Sequence, residues 1–510
     1  MNLPKKNILA NYIGQIYVMA LSVLVMPMYL HHMGAEAYGL VGFFILMQVF
    51  LNLLDAGFSL TLGRQVAEAR GNSDKFKIFF KLLRSIEVIF FVLSIIIILL
   101  VYIVSDWISQ EWIKANALGQ DTIQHCITLM GIILSIRWFS TVYKSGINGF
   151  EDQVWLNKVN ILLATLKYLG SLFVLMFLSQ DIKIFFYYQL IIGIIELVIL
   201  NFRMYKLLPI NEIREDIFSL KIEITVIKSI LPFSVSIAYT TLVWTLLMQF
   251  DKLILSSVLT LEKFGYFSII IIISSSLIAI ATPVFLAISP KMTMLLSSGE
   301  DFKMQDIYKK MTQMITWIVS STSLLICIYS DQILYILFGD IEASKWGSNI
   351  LILYTLGYTF FVLGSFQYYL QNSFGDLRYY VLGASLLVAF QIPVMYYYII
   401  KYEAIGSGFV WLAFNFLWFV FFTLIIHNKF LPKFHLKWLL EDIIPILFFV
   451  LFLSFLVQQF INFEIDALAN RWILMFKIII IAFFFLLISS LSMNIVREKI
   501  KDLIKKKGII

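Results

Sequence analysis

The sequence predicts an all-α polytopic membrane protein with about fourteen transmembrane helices, and three observations carry that reading. The apolar residues gather into about fourteen separate blocks, each near the ~20 residues that cross a bilayer core. Hydrophobic residues make up 60% of the 510 and charged residues only 14%, against about 25% charged in a soluble chain. Runs such as Ile95–Val101 and Ile269–Ile273 are unbroken, whereas barrel strands of roughly 10 residues alternate in polarity. A helix closes its own backbone hydrogen bonds, so such runs can sit in lipid.

The expected spans follow the blocks. Six lie at roughly 8–30, 38–60, 85–105, 122–145, 154–178 and 183–204. Six more lie at roughly 230–256, 265–289, 310–337, 346–369, 379–401 and 405–427. A last pair runs at roughly 440–461 and 472–493. The first block is longer than a signal-peptide core and lacks a small-residue cleavage pattern, so the mature chain is expected to begin at Met1. Cys126 and Cys327 fall inside apolar blocks and read as small buried hydrophobes. The pair His31–His32 reads as incidental. No metal cluster, phosphate-binding loop or hydrolase motif is present, so neither a cofactor nor a nucleotide-driven motor is expected.

Lys and Arg set the orientation. With the N-terminus in the cytoplasm, about 27 fall in inside loops and about 6 outside, a strong positive-inside bias. That location explains the net charge of +7 without a nucleic-acid partner. Both termini are expected to be cytoplasmic. The tail Ile495–Lys507 places Ile500, Leu503 and Ile504 on one face among lysines, so it is expected along the inner leaflet.

The chain also echoes itself. Glu36-Ala37-Tyr38-Gly39 opens the second span, and Glu262-Lys263-Phe264-Gly265 opens the eighth about 226 residues later. Asn148-Gly149-Phe150-Glu151-Asp152 joins spans four and five. Asn372-Ser373-Phe374-Gly375-Asp376 joins spans ten and eleven, about 224 residues later. A weaker echo is Glu403-Ala404-Ile405-Gly406, at the twelfth span. An even number of helices per repeat gives two parallel lobes, 1–208 and 209–430, followed by a helix pair with a basic tail, 431–510. Two such lobes can rock about a central cavity, which is transporter architecture.

A charge at mid-bilayer costs about 2.5–3.5 kcal/mol on insertion scales, so it should face a cavity or a partner. Arg137, Lys167 and Glu196 are the deepest; Asp55, Asp251 and Lys252 lie nearer span ends. Polar company recurs at helical spacing. Asn11 and Gln15 align on span one, and Gln48, Asn52 and Asp55 on span two. Arg137, Thr141 and Lys144 align on span four, and Asn160 with Lys167 on span five. Gln189 with Glu196 mark span six, and Thr241 with Lys252 span seven. One such stripe can be glue between helices, but several in the first seven spans point to a shared wet cavity. Arg137 and Lys167, with Lys144, Lys158 and Arg64 towards the cytoplasm, would make it cationic and focus anions. Asp55 and Glu196 are candidates to balance those charges or take up a coupling proton or sodium ion. Ion pairing alone is the simpler role, and Asp251 with Lys252 reads as such a pair. Lys144 and Lys158 also suit snorkelling at the interface.

Three segments carry a resemblance: Met33-Gly34-Ala35-Glu36-Ala37-Tyr38-Gly39, Leu53-Leu54-Asp55-Ala56-Gly57-Phe58 and Arg64-Gln65-Val66-Ala67-Glu68. Together they resemble the opening of Wzx-type O-antigen and polysaccharide flippases. Phe250-Asp251-Lys252-Leu253-Ile254-Leu255 resembles that family's seventh helix, and Asn148-Gly149-Phe150 its fourth-to-fifth connection. The resemblance implies membership of the superfamily that holds MATE exporters and lipid II flippases, two bundles and alternating access. It implies a cargo of undecaprenyl-pyrophosphate-linked oligosaccharide, moved to the outer leaflet of the bacterial inner membrane, as in lipopolysaccharide or capsule synthesis. It also implies a polysaccharide polymerase and a chain-length regulator as partners beside membrane lipid. Competing readings are a multidrug exporter, which would favour an acidic cavity, and a lipid II flippase. A polymerase or ligase enzyme is disfavoured by short outer loops, the largest at about 106–121.

Overall fold

The structure is a computed structural model that describes residues 3–55, 58–69, 73–208, 224–461, 463, 470–494 and 496–497. These are helical almost throughout. Twelve helical stretches among the described residues are long and apolar enough to cross a membrane, and Tyr17–Met33 is a shorter apolar helix. The expected leaflet-lying tail falls largely outside the described residues.

The chain divides into two compact units, Met1–Gly265 and Tyr266–Ile510. In the first, α1 (Leu3–Met33) leads into α2 (Ala35–Asn52), a tight turn Leu53–Asp55 and α3 (Phe58–Ala69). A long α4 (Ser73–Trp107), α5 (Gln120–Gly149), α6 (Gln153–Thr165), α7 (Ser171–Phe177) and α8 (Ile182–Leu207) follow. Helix α9 (Ile224–Val258) packs against α2, α3 and α4. Helix α5 is the most enclosed of these. It touches α2, α3, α4 and α8, and Trp138 stacks on Phe90 with ring centroids 4.1 Å apart.

Both echoed sequences have a structural counterpart. Asn148–Asp152 ends α5 with the left-handed residue Glu151 (φ 61°), and Gly375 (φ 74°) takes the equivalent place. Asp152 N–H donates to Ile147 O and Glu151 N–H to Asn148 O; Asp376 N–H donates to Gln371 O and Gly375 N–H to Asn372 O. These are the paired bonds of one helix-ending motif in one register. The second echo lies at the start of α2 and of α10 (Leu261–Ser297). A Cβ on Gly39 would stand 2.1 Å from Leu261 O, and one on Gly265 2.5 Å from Ala35 O. Each glycine thus meets the carbonyl of the residue preceding the other motif's Glu, a reciprocal backbone contact open only to residues without side chains.

A strap closes over this contact. The Glu36 carboxylate accepts from Asn116 N–H (2.5 Å), Ala117 N–H (2.7 Å) and Leu118 N–H (3.2 Å). From the same strap Lys114 O accepts from Leu261 N–H at 2.7 Å. Trp112 Nε1 donates to Ser256 Oγ at 2.9 Å.

In the second unit α10 continues, followed by α11 (Asp301–Ile328), α12 (Ser330–Phe338), α13 (Ile341–Gly364) and α14 (Phe366–Phe374). Then come α15 (Arg378–Leu417), α16 (Thr423–Phe430), α17 (His435–Trp438), α18 (Ile444–Phe460) and α19 (Arg471–Ser489). The stretch Arg378–Phe430 has 53 residues, about 80 Å at helical rise, too long for one crossing. Glu403 leaves the helix (φ 51°, ψ −135°). Gly383 then lies against Trp418 and Phe422, and Gly406 against Tyr398 O. The chain has turned back, so this stretch is the two expected spans joined at the Glu403 echo. The final pair docks on α11: Gln313 Nε2 donates to Asp442 at 2.7 Å, Trp438 Nε1 to Thr312 at 2.8 Å and Trp317 Nε1 to Ser489 at 2.9 Å.

The reciprocal glycine contact yields a prediction. Gly39→Ala and Gly265→Ala each push a methyl group into a backbone carbonyl that cannot rotate away, costing about 1–3 kcal/mol. Both variants should melt several degrees lower in detergent. Gly119→Ala, with nothing within 4 Å of the new Cβ, should melt with the wild type.

Candidate functional site

A chamber of about 410 Å³ opens in the first unit. Gly14, Gln15, Val18 and Met19 of α1 form one wall. Asn157, Asn160, Leu163 and Ala164 of α6 form another, and Lys144 comes from α5, Glu196 from α8. Lys167 and Tyr168 complete the lining from a π-helical turn, Leu166–Gly170, between α6 and α7. Tyr17 OH shares a 2.8 Å hydrogen bond with Thr165 Oγ1 and ties α1 to α6.

The charges are unequal. Glu196 is 3% exposed. Its Oε1 accepts from Lys144 Nζ at 2.5 Å, and its Oε2 lies 3.5 Å from Lys167 Nζ. Arg137, two turns before Lys144 on α5, feels the charge of both Glu196 and Lys167. Its Nη2 donates to Gln189 Oε1 at 2.6 Å, and its Cζ stands 5.2 Å from the Phe44 ring centroid. Arg137 Nε is buried with no hydrogen-bond partner among the described residues. Two lysines thus engage one carboxylate, with Arg137 behind them, and no other acid lines the chamber among the described residues. The excess positive charge needs water or an anion, because uncompensated charge is costly at low dielectric.

The π-turn sets the position of Lys167. One surplus residue leaves carbonyls without their usual helical donors. Three side chains supply them: Tyr188 OH donates to Leu166 O (2.9 Å), Gln189 Nε2 to Lys167 O (3.1 Å) and Tyr29 OH to Tyr168 O (2.8 Å). Gln189 therefore holds Arg137 with its oxygen and the turn with its nitrogen. That nitrogen also donates to Ser171 Oγ at 2.8 Å.

The structure brings together five of the sequence-derived residues, Gln15, Lys144, Asn160, Lys167 and Glu196, around this chamber. Arg137 stands behind it. Asp55 is elsewhere: its carboxylate accepts from Ser59 Oγ at 2.5 Å and from Ser59 N–H. Ser59 Oγ in turn shares a 3.2 Å bond with Thr141. Asp55 therefore reaches the α5 stripe only through hydroxyls. Asp251, 1% exposed, pairs with Lys252 at 3.1 Å. Lys158, Asn52 and Thr241 are exposed and Gln48 is half-buried; none lines the chamber. The side chains of Asn11 and Arg64 fall outside the described residues. Phe44, Tyr29, Tyr168 and Tyr188 carried no sequence signal, because a tyrosine or phenylalanine in an apolar block looks like any other.

The single acid yields a prediction. Glu196→Gln removes the counter-charge of Lys144 and Lys167 and leaves the two lysines uncompensated, with Arg137 behind them. Breaking a buried pair costs about 3–5 kcal/mol; both lysines reach water, so about 1–3 kcal/mol is expected. Thermal unfolding in detergent checks it. The Glu196→Gln, Lys144→Met double variant should recover part of the loss, since the pair no longer repels.

Comparison with known proteins places this geometry. No curated protein matches the sequence significantly. Among solved structures, the lipid II flippase MurJ in an inward closed conformation superposes with a TM-score of 0.70 at 13% identity. That match covers 96% of this chain and 99% of MurJ. An inward-facing multidrug resistance MATE family transporter of the MOP superfamily superposes at 0.63 with 14% identity, covering 80% and 95%. A MOP superfamily transporter from Pyrococcus furiosus gives 0.53 at 16% identity, covering 84% and 96%. These likenesses show that the chain shares the fold of those proteins. The family described as "Polysaccharide biosynthesis protein" matches residues 5–296, more than half of the chain, and the protein belongs to that family.

Proposed function

We propose that the protein is a flippase for polyprenyl-pyrophosphate-linked oligosaccharide repeat units of O-antigen or capsule type, in the inner membrane of a bacterium. The observation that carries the proposal is the excess of cations at the chamber: Arg137, Lys144 and Lys167 against Glu196. Membership of a polysaccharide biosynthesis family and a fold shared with a lipid II flippase support it. In this reading the chamber receives the pyrophosphate, which prefers guanidinium and ammonium donors. Gln15, Asn157 and Asn160 offer hydrogen bonds to the first sugar. The polyprenyl chain stays in lipid, where each CH₂ is worth about 0.8 kcal/mol. Both termini are cytoplasmic, on the positive-inside rule.

Transport is proposed to be ion-coupled and by alternating access. Glu196 is engaged by two lysines, so Asp55, held among the described residues by Ser59, is the proposed site for a proton or sodium ion. A polymerase and a chain-length regulator are the proposed partners. A lipid II flippase is the second reading: the MurJ fold favours it, and lipid II carries the same pyrophosphate. A multidrug exporter of organic cations fits poorly with an excess of positive charge.

The experiment is complementation of a strain lacking its polysaccharide flippase. Lys167→Ala removes one charge-assisted contact, about 1.5–3 kcal/mol, or roughly 10- to 100-fold in affinity, and Arg137→Ala removes a cation from behind the chamber wall and acts in the same direction. Surface polysaccharide should fall by about tenfold or more at unchanged membrane levels of the protein. Full polymer in both variants would reject the chamber as the pyrophosphate site.

A further inference from the structure

A second hollow of about 410 Å³ opens on a different face of the α6–α8 pair. It is lined by Trp155 of α6 and by Val198, Ile199, Phe202, Arg203 and Lys206 of α8. Phe202 follows Glu196 by six residues, roughly 240° round the helix, so this hollow faces away from the cationic chamber. Val198 and Phe202 are 60% and 68% exposed. Val198, Phe202 and Lys206 follow one another at steps of four, which is one ridge of the helix. That ridge reads apolar, apolar, cationic towards the helix end, over about 12 Å.

The two cations differ. Arg203 donates to Asp152 through Nε (2.8 Å) and Nη2, and its guanidinium lies 5.0 Å from the Trp155 ring centroid. It is a fixed group whose Nη1 has no partner among the described residues. Lys206 is exposed and has no ion pair among the described residues.

We propose that this hollow binds an anionic phospholipid, with the phosphate on Lys206 and Arg203 and an acyl chain along Phe202 and Val198. The order of groups along the ridge matches the order within the lipid. Charge complementarity selects the head: a lipid with net negative charge gains from Lys206, whereas the amine of a zwitterionic head is repelled by it. A lysine that merely snorkels to the interface would show no such preference. The site is separate from the chamber, and its lipid is independent of the cargo the chamber takes.

The test is lipid binding to the purified full-length protein by native mass spectrometry. The probes are phosphatidylglycerol and phosphatidylethanolamine of identical chains, with undecaprenyl phosphate as a third arm. The first phosphatidylglycerol should bind about fivefold more tightly than phosphatidylethanolamine, the worth of one lysine near a lipid surface. Lys206→Glu, and the milder Lys206→Gln, should erase that preference with little change in melting temperature in lipid-free detergent. Equal binding of the two heads, or a preference that survives both variants, overturns the proposal. Undecaprenyl phosphate outcompeting phosphatidylglycerol at the Lys206-dependent site would overturn it too, by assigning the hollow to the carrier lipid.

Discussion

The ion cluster at Glu196 is the interaction on which the rest of the first unit depends. One buried carboxylate draws Lys144 from α5 and Lys167 from the π-turn to the same point, and Arg137 lies within its field. An isolated cation at that depth would be expelled or neutralised. Glu196 lets three stay, yet cancels only one charge. The chamber is therefore stable enough to exist and unbalanced enough to attract. Removing all four charges would make a drier and plainer helix bundle, with nothing to hold an anion.

Much of this was legible in the primary structure. Block length and low charge were enough for the membrane class, because no soluble core can use so much apolar surface. Helical spacing placed Arg137, Thr141 and Lys144 on one face, and Asn160 and Lys167 on another, since side-chain direction in a helix follows position. Spacing fails where the helix is irregular. The π-turn at Leu166–Gly170 adds a residue, so the register past Lys167 is not that of an ideal helix. Asp55 shows the same limit: a turn at Leu53–Asp55 interrupts the second span, and its carboxylate joins Ser59 instead of the chamber. Pairing between elements was also out of reach. Nothing in the spacing says that Gln189 would join Arg137 to the turn.

The echoes in the sequence were short, yet they mark the places where backbone geometry leaves least freedom. A left-handed residue at Glu151 and at Gly375 ends two helices in one hydrogen-bond pattern. Gly39 and Gly265 recur because each must lie on the other helix's first carbonyl. Side chains elsewhere could diverge, as long as they stayed apolar towards lipid. Repeats in membrane proteins can thus survive as a few turn and contact residues while the helices between them drift.

The π-turn has a consequence for how the chamber keeps its charge. A helix with one residue too many can store the surplus in any turn, and moving it past a residue swings that side chain by about 100°. Among the described residues, the phenols of Tyr29 and Tyr188 and the amide of Gln189 hold the surplus where it is. Three uncharged groups thus act as a latch on a charged one. Were they released, Lys167 would rotate off the chamber wall with its charge intact, and the binding field would weaken without any proton being lost.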